Sequence, residues 1–218
     1  MKKYKLTTET LQFAGRTLHR IKAVKDFDSI KAGEFGGWIE NEKNLSQDDN
    51  AWIYGDAMVF DNAEVYDNAE VYGNANVSGN ANVSGNAKVY GNANVSDYAN
   101  VFGYANVSDY AKVYGNAEVY GNANISYYAK VYGNAVIKGD AIVHDAVDYI
   151  VFKNFWSSGR YFTWTSSNNK WSVGCFYGTG EELIKKAYAD SEKSGREYER
   201  VVRYVESILA DEKKEKSN

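Results

Sequence analysis

From residue 51 to residue 146, apolar and polar positions recur with a period of six. Alanine returns at every sixth position from Ala51 through Ala57, Ala63 and Ala69 to Ala141, and two residues after each stands an aliphatic side chain, from Ile53, Val59 and Val65 to Ile137 and Val143. Sixteen such hexads follow one another without insertion. Residues two apart in extended chain share a face, so the alanine and the aliphatic point the same way and their neighbours point outward. Most units then continue with Gly-Asn or Asp-Asn, as in Val89-Tyr90-Gly91-Asn92, residue types that reach the left-handed backbone region a corner needs. Each hexad is therefore predicted as a short strand plus a corner. A strand this short cannot bury its apolar face alone; stacked turns bury a continuous column of Val and Ala and pair the backbone between turns. One corner breaks the rule: Tyr127 stands where Gly or Asp is usual. Tyrosine enters the left-handed region poorly, which predicts a distorted or different turn there.

The flanks have other periods. Leu11-Gln12-Phe13 and Leu18-His19-Arg20-Ile21 alternate on either side of Ala14-Gly15-Arg16, the pattern of a hairpin. Open solenoid ends expose sheet edges and need covering, so residues 1–50 are read as an N-terminal β cap and residues 51–146 as the repeat. After Ala146 the period stops. Tyr149–Phe152, Tyr161–Trp164 and Trp171–Phe176 are predicted strands, with Cys175 a small buried residue in the last. Two helices follow, with capping boxes at Thr179/Glu182 and Ser194/Glu197. This gives a βββαα module over residues 147–210 and a charged, frayed tail over residues 211–218.

Composition fits a repeat: proline is absent, and Tyr and Gly each number 19. Net charge is −4, and the repeat itself holds ten acidic residues against four lysines, so it carries −6. No basic field invites nucleic acid, which is not expected as a direct partner. A single cysteine forbids an internal disulfide. The first residues lack the apolar core of a signal peptide, and no stretch nears the ~20 apolar residues of a membrane span; the expected location is bacterial cytoplasm, with no membrane contact.

The hexad, an aliphatic, then polar or Gly residues, then a small residue at the fifth place, resembles the left-handed parallel β-helix of hexapeptide-repeat proteins. That resemblance implies three hexads per triangular coil, hence about five coils for sixteen hexads. It also implies the left hand, which opposes the usual right-handed crossover. The run from Ala23-Val24-Lys25-Asp26-Phe27 through Gly36-Gly37-Trp38-Ile39 and Asn44-Leu45 to Ala51-Trp52-Ile53 is similar to the N-terminal part of phage and prophage hexapeptide-repeat proteins. It is also similar to an enterobacterial acetyltransferase-type member of the same repeat class. The fold class is thus mainly β, a capped left-handed parallel β-helix with a small α+β C-terminal module.

Two functions compete. An acyltransferase of this class would need a histidine base beside an acyl-coenzyme A pocket. The candidates are His19 in the hairpin and His144 after Val143, and the uninterrupted hexads predict no pocket wall in the body of the helix. There is no Gly-rich phosphate loop before a helix and no Cys/His cluster with zinc spacing, so no cofactor or metal is expected. The alternative is a binder. At the eighteen-residue spacing of three hexads, Tyr54, Tyr72 and Tyr90 form one column, Phe102 and Tyr120 another, Tyr114 and Tyr132 a third, and Tyr110 and Tyr128 a corner pair. Such ladders either stabilise the stack or present a contact surface. Trp156 and Arg160, in a predicted loop, are a second candidate. The binding residues taken forward are Tyr54, Tyr72, Tyr90, Trp156 and Arg160. The implied partner is a host protein, by phage resemblance an anti-CRISPR-like inhibition of a defence nuclease, with self-association of the helix also expected.

Overall fold

The computed structural model describes residues 2–215 and divides the chain into two compact units after Asp148. In the first, Tyr4–Phe13 (β1) and Arg16–Ala23 (β2) form an antiparallel hairpin. Ala14 (φ 50°) and Gly15 (φ 77°) make its tip, two consecutive left-handed residues as a tight hairpin turn requires. Strand β2 then pairs with Phe35–Ile39 (β3), antiparallel, through His19 with Ile39 and Arg20 with Trp38.

From Trp52 to Val143 the described chain runs through sixteen two-residue strands, each an outward residue followed by the inward aliphatic. Their partners lie eighteen residues on, as in Lys88 with Asn106 and Val89 with Val107, and all are parallel. Three hexads therefore close each coil, and the strands sort into three parallel sheets. The core is the predicted column: every repeat alanine, and every aliphatic from Val59 to Val143, is fully or almost fully buried.

The helix begins earlier than the hexads do. Trp38 of β3 pairs in parallel with Met58, and Leu45 bridges to Val65. These two sides of a first coil, twenty residues from their partners instead of eighteen, belong to residues assigned to the cap. One sheet holds six coil strands, the second holds six after the two hairpin strands, and the third holds five plus the Leu45 bridge. The helix has six coils, where five were expected. Gly36 and Gly37 make this first coil: a Cβ on Gly37 would lie 2.6 Å from both the Ala57 carbonyl and Ile53 Cγ2. Glycine here allows close approach where the repeat uses alanine.

The Tyr127 corner is not distorted. Its φ is 55°, like Asp61, Asp67, Asp97 and Asp109 at their corners. Its N–H bonds the Asp109 carboxylate at 2.9 Å and its carbonyl accepts from Tyr110 N–H at 2.9 Å. A hypothetical Cβ at most corner glycines meets backbone of the next coil; on Gly91 it would lie 2.8 Å from Asp109 N. Tyr127 follows Asp109 as the last left-handed corner of that column, so its Cβ meets no further left-handed corner.

In the second unit, Tyr149–Lys153, Tyr161–Thr165, Lys170–Val173 and Phe176–Gly178 form a four-stranded antiparallel meander. The predicted third strand is bent at Gly174 (φ 54°) into two, which leaves Cys175 exposed in the turn rather than buried. Helices Gly180–Asp190 (α1) and Glu192–Glu215 (α2) bury Leu183, Ile184, Ala187, Tyr198, Val202 and Val205 with Phe162, Trp164 and Trp171. Thr179 and Glu182 form the predicted capping box. The second start lies upstream of the predicted one: Ser191 Oγ accepts the Ser194 N–H at 3.1 Å, and Ser194 sits inside the first turn. Helix α2 also runs into the expected tail, with Lys214 and Asp211 paired at 3.3 Å; residues 216–218 lie outside the described residues.

Candidate functional site

The outward position after each inward aliphatic decides the shape of a side of the helix. On the side that carries Trp52–Ile53 and every third strand after it, this position reads Tyr54, Tyr72, Tyr90, Ser108, Ser126, His144. Tyr72 stacks on Tyr90 with centroids 4.8 Å apart and planes 5° off parallel, whereas Tyr54 meets Tyr72 edge-on at 6.4 Å. All three rings are half-buried by their own column. Burial raises the Tyr54 and Tyr72 phenols above their ordinary pKa. Beside them Lys88 pairs with Glu70 at 3.0 Å, a bond that raises the lysine pKa.

After Tyr90 the column loses its rings for two coils. Ser108 and Ser126 are buried, and the space two tyrosines would fill is a notch of about 550 Å³. Tyr90 closes one end and His144 the other; Asp109, Tyr110, Asn124, Tyr127 and Tyr128 supply the walls. Tyr110 and Tyr128 stack at 5.2 Å and 10°. His144 is exposed, meets the Tyr127 ring edge-on at 4.8 Å, and donates its backbone N–H to Asp148 Oδ2 at 2.7 Å. The pocket wall that unbroken hexads argued against is thus made by side-chain size, not by an extruded loop. Its signal was present: reading one outward position every eighteen residues exposes the switch from Tyr to Ser and back to an aromatic ring. A smaller hollow of about 290 Å³ has the same origin, where Ser84 interrupts Tyr66 and Phe102.

The other predicted columns stand as pairs: Phe102 on Tyr120 at 4.5 Å and Tyr114 on Tyr132 at 5.3 Å. The more exposed tyrosines include Tyr132 and the predicted corner pair, and add three that the columns did not contain, Tyr98, Tyr104 and Tyr127. Tyr98, Tyr104, Tyr110, Tyr127, Tyr128 and Tyr132 are 51 to 74% exposed. Tyr98, Tyr104 and Tyr110 occupy three successive corners, each at a position that asparagine holds in the coil before (Asn80, Asn86 and Asn92). Side-chain amides ladder up such corners, Asn62 to Asn80 at 3.2 Å and Asn74 to Asn92 at 3.3 Å.

Trp156 and Arg160 lie together in the loop after Tyr149–Lys153, and both are exposed. The buried Asn154 side chain holds that loop, accepting from the N–H groups of Trp156 at 2.9 Å and Ser157 at 3.0 Å. Among the described residues no group of three or more His, Cys, Asp or Glu side chains is placed to hold a metal ion, and no helix is long and apolar enough to cross a membrane.

Comparison with known proteins follows the same repeat. A family model described as the YdcK β-solenoid repeat matches residues 129–145, the last coil and the His144 rim of the notch. The uncharacterized acetyltransferase YdcK of Escherichia coli (strain K12) is 39% identical over 62 residues, which is 25% of this chain and 19% of that protein. The chain therefore spans a small part of its relative. Hexad register and three-sided coils give the chain a hexapeptide-repeat β-helix fold, similar over its last coil to the YdcK β-solenoid repeat.

Proposed function

We propose that this chain is a non-catalytic binding protein that presents tyrosines on a rigid β-helix to a protein partner. The observation that carries it is the set of exposed corner tyrosines around the notch, above all the Tyr110–Tyr128 stack. Rings this exposed bury little of their apolar area in the chain itself, and Tyr is enriched where interfaces concentrate their energy. Stacking of Tyr110 on Tyr128 restrains these two rings, so less entropy is lost when a partner covers them. The narrower reading, a phage or prophage factor that blocks a host defence nuclease, draws on the N-terminal resemblance alone. Affinity capture with the full chain, compared with Tyr110→Ser/Tyr128→Ser, tests the proposal: a stoichiometric partner retained by the first and lost by the second supports it.

A second reading, an acyltransferase, is favoured by His144 at the rim of a serine-floored notch and by the relative's name. It requires acyl-coenzyme A binding and loss of acyl transfer in His144→Ala. Coenzyme A binding without any protein partner would replace the first reading by this one.

A further inference from the structure

We propose that the notch over Ser108 and Ser126 receives an arginine side chain of the protein partner; this rests on the binding-protein reading above. The notch is built by omission, because the column that carries Tyr54, Tyr72 and Tyr90 puts serine at the next two coils. Its lining is rich in acceptors. Asn124 Oδ1 is shut off from water and has no donor, so it lies behind the surface of the notch and leaves Asp109 as its charged acceptor. Asp109 Oδ2 accepts the Tyr127 N–H, and its other oxygen takes no partner among the described residues. No lysine or arginine lines the space, and from Lys88 to Ala146 the repeat holds five acidic residues against four lysines, a net −1.

These features select among ligands. A carboxylate or phosphate would meet Asp109 and find no fixed cation. An apolar side chain would bury the Asp109 carboxylate without a counter-charge. An ammonium supplies charge but no plane to lie on the Tyr127 and Tyr128 faces. A guanidinium supplies both: N–H donors in a flat fork for the Asp109 carboxylate, and a cationic face for phenol rings. Arginine joins tyrosine among the residues that dominate interface energetics, so the same notch explains why the exposed rings gather round it.

The test is a chemical-shift titration of the isotopically labelled full chain with acetyl-Gly-Arg-Gly-amide, and with lysine or citrulline in place of arginine. The arginine peptide is expected to move the Ser108, Ser126 and Tyr127 amides, the lysine peptide about threefold less, and the citrulline peptide not at all. Ser126→Tyr should abolish the response and keep the fold, since the column already accepts tyrosine at Tyr72 and Tyr90. Asp109→Asn should weaken it several-fold. Equal shifts with citrulline, shifts confined to other surfaces, or an unchanged response in Ser126→Tyr would overturn the proposal. A captured partner that depends on Tyr128 but still binds Ser126→Tyr would overturn the arginine site and leave the binding-protein reading intact. Coenzyme A binding with no partner would remove that reading and this one together.

Discussion

Lys3 Nζ donates a hydrogen bond to the Ala51 carbonyl at 2.8 Å, at the end of the helix where no earlier coil offers a backbone N–H to that oxygen. The same amine bonds the Asp49 carbonyl at 2.7 Å and lies 5.2 Å from the Phe27 ring centre. Asn44 acts alike one side further on, giving its amide to the Asp61 and Ala63 carbonyls at 3.1 and 2.8 Å. Carboxylates serve the donors that remain: Glu40 accepts from Asp61 N–H at 2.7 Å and Asp49 from Asp67 N–H at 3.3 Å. Side chains of the first fifty residues thus stand in for the missing backbone, which is how a sheet edge is closed without a further strand.

Lys3→Met should therefore destabilise the first unit by about 1–3 kcal/mol, because two carbonyls lose their donor. The effect has a pH signature. Burial lowers the Lys3 pKa from 10.5 to about 8. Between these values the unfolded chain binds more protons than the folded one, so stability from this group rises with pH across the window and is flat below about 8. Urea unfolding of both proteins from pH 7 to 10 checks it: the advantage of the natural chain over Lys3→Met should widen with pH. An advantage that narrows would mean the amine is not desolvated.

Corner glycine and corner tyrosine should respond oppositely in one column. Gly91→Ala puts a Cβ at positive φ and within 2.8 Å of Asp109 N, and should cost about 2–4 kcal/mol from backbone strain and overpacking. Tyr127→Gly removes strain at φ 55° and sacrifices a mostly exposed ring, so it should stabilise by about 1 kcal/mol. Thermal unfolding of the two variants decides; equal losses would show that the Tyr127 ring contributes packing that its exposure hides.

The repeat was legible because one side chain in six is alanine and another is aliphatic, and sheet geometry leaves them a single arrangement within a coil. The columns were legible once three hexads per coil came from resemblance. The first coil was not: Gly36-Gly37 stands in place of an alanine, its sides lie twenty residues from their partners, and Leu45 arrives after a 3-10 turn at Glu42–Asn44. Tyr127 misled because propensity is local, whereas its corner is held by Asp109 below and open space beyond. Cys175 misled because Gly174 turns the chain inside an apolar run. The notch carries no ring or charge of its own in the sequence: two serines, Ser108 and Ser126, between the aromatics of one column make it.

The capping box at Thr179 gives the second unit a pH-sensitive element. Thr179 Oγ1 accepts the Glu182 N–H at 3.3 Å, and Glu182 Oε2 accepts the Thr179 N–H at 2.7 Å. That backbone bond, with the threonine hydroxyl, lowers the Glu182 pKa below its ordinary 4.5. The stabilisation is therefore present above pH 4.5 and fades as pH falls through the lowered value. Thr179→Ala should cost about 1 kcal/mol at neutral pH. Glu182→Gln should remove the acid dependence, read from helical circular dichroism during urea unfolding between pH 3 and 7.

Tyr72 and Tyr128 separate the two uses of a tyrosine column. Tyr72 is half-buried, with Tyr90 stacked on one side and Tyr54 edge-on at the other. Tyr128 is 74% exposed and touches one ring, Tyr110. Ring pairs contribute about 0.5–1.5 kcal/mol beyond the area they bury, and Tyr72 has two such contacts plus the buried area. Tyr72→Ala should thus cost about 2–3 kcal/mol of unfolding free energy and leave partner capture unchanged at temperatures where the variant is folded. Tyr128→Ala should cost under about 1 kcal/mol and abolish capture. If both variants lose stability alike and neither affects capture, the rings serve only the stack, and the contact surface must be sought in the Trp156–Arg160 loop.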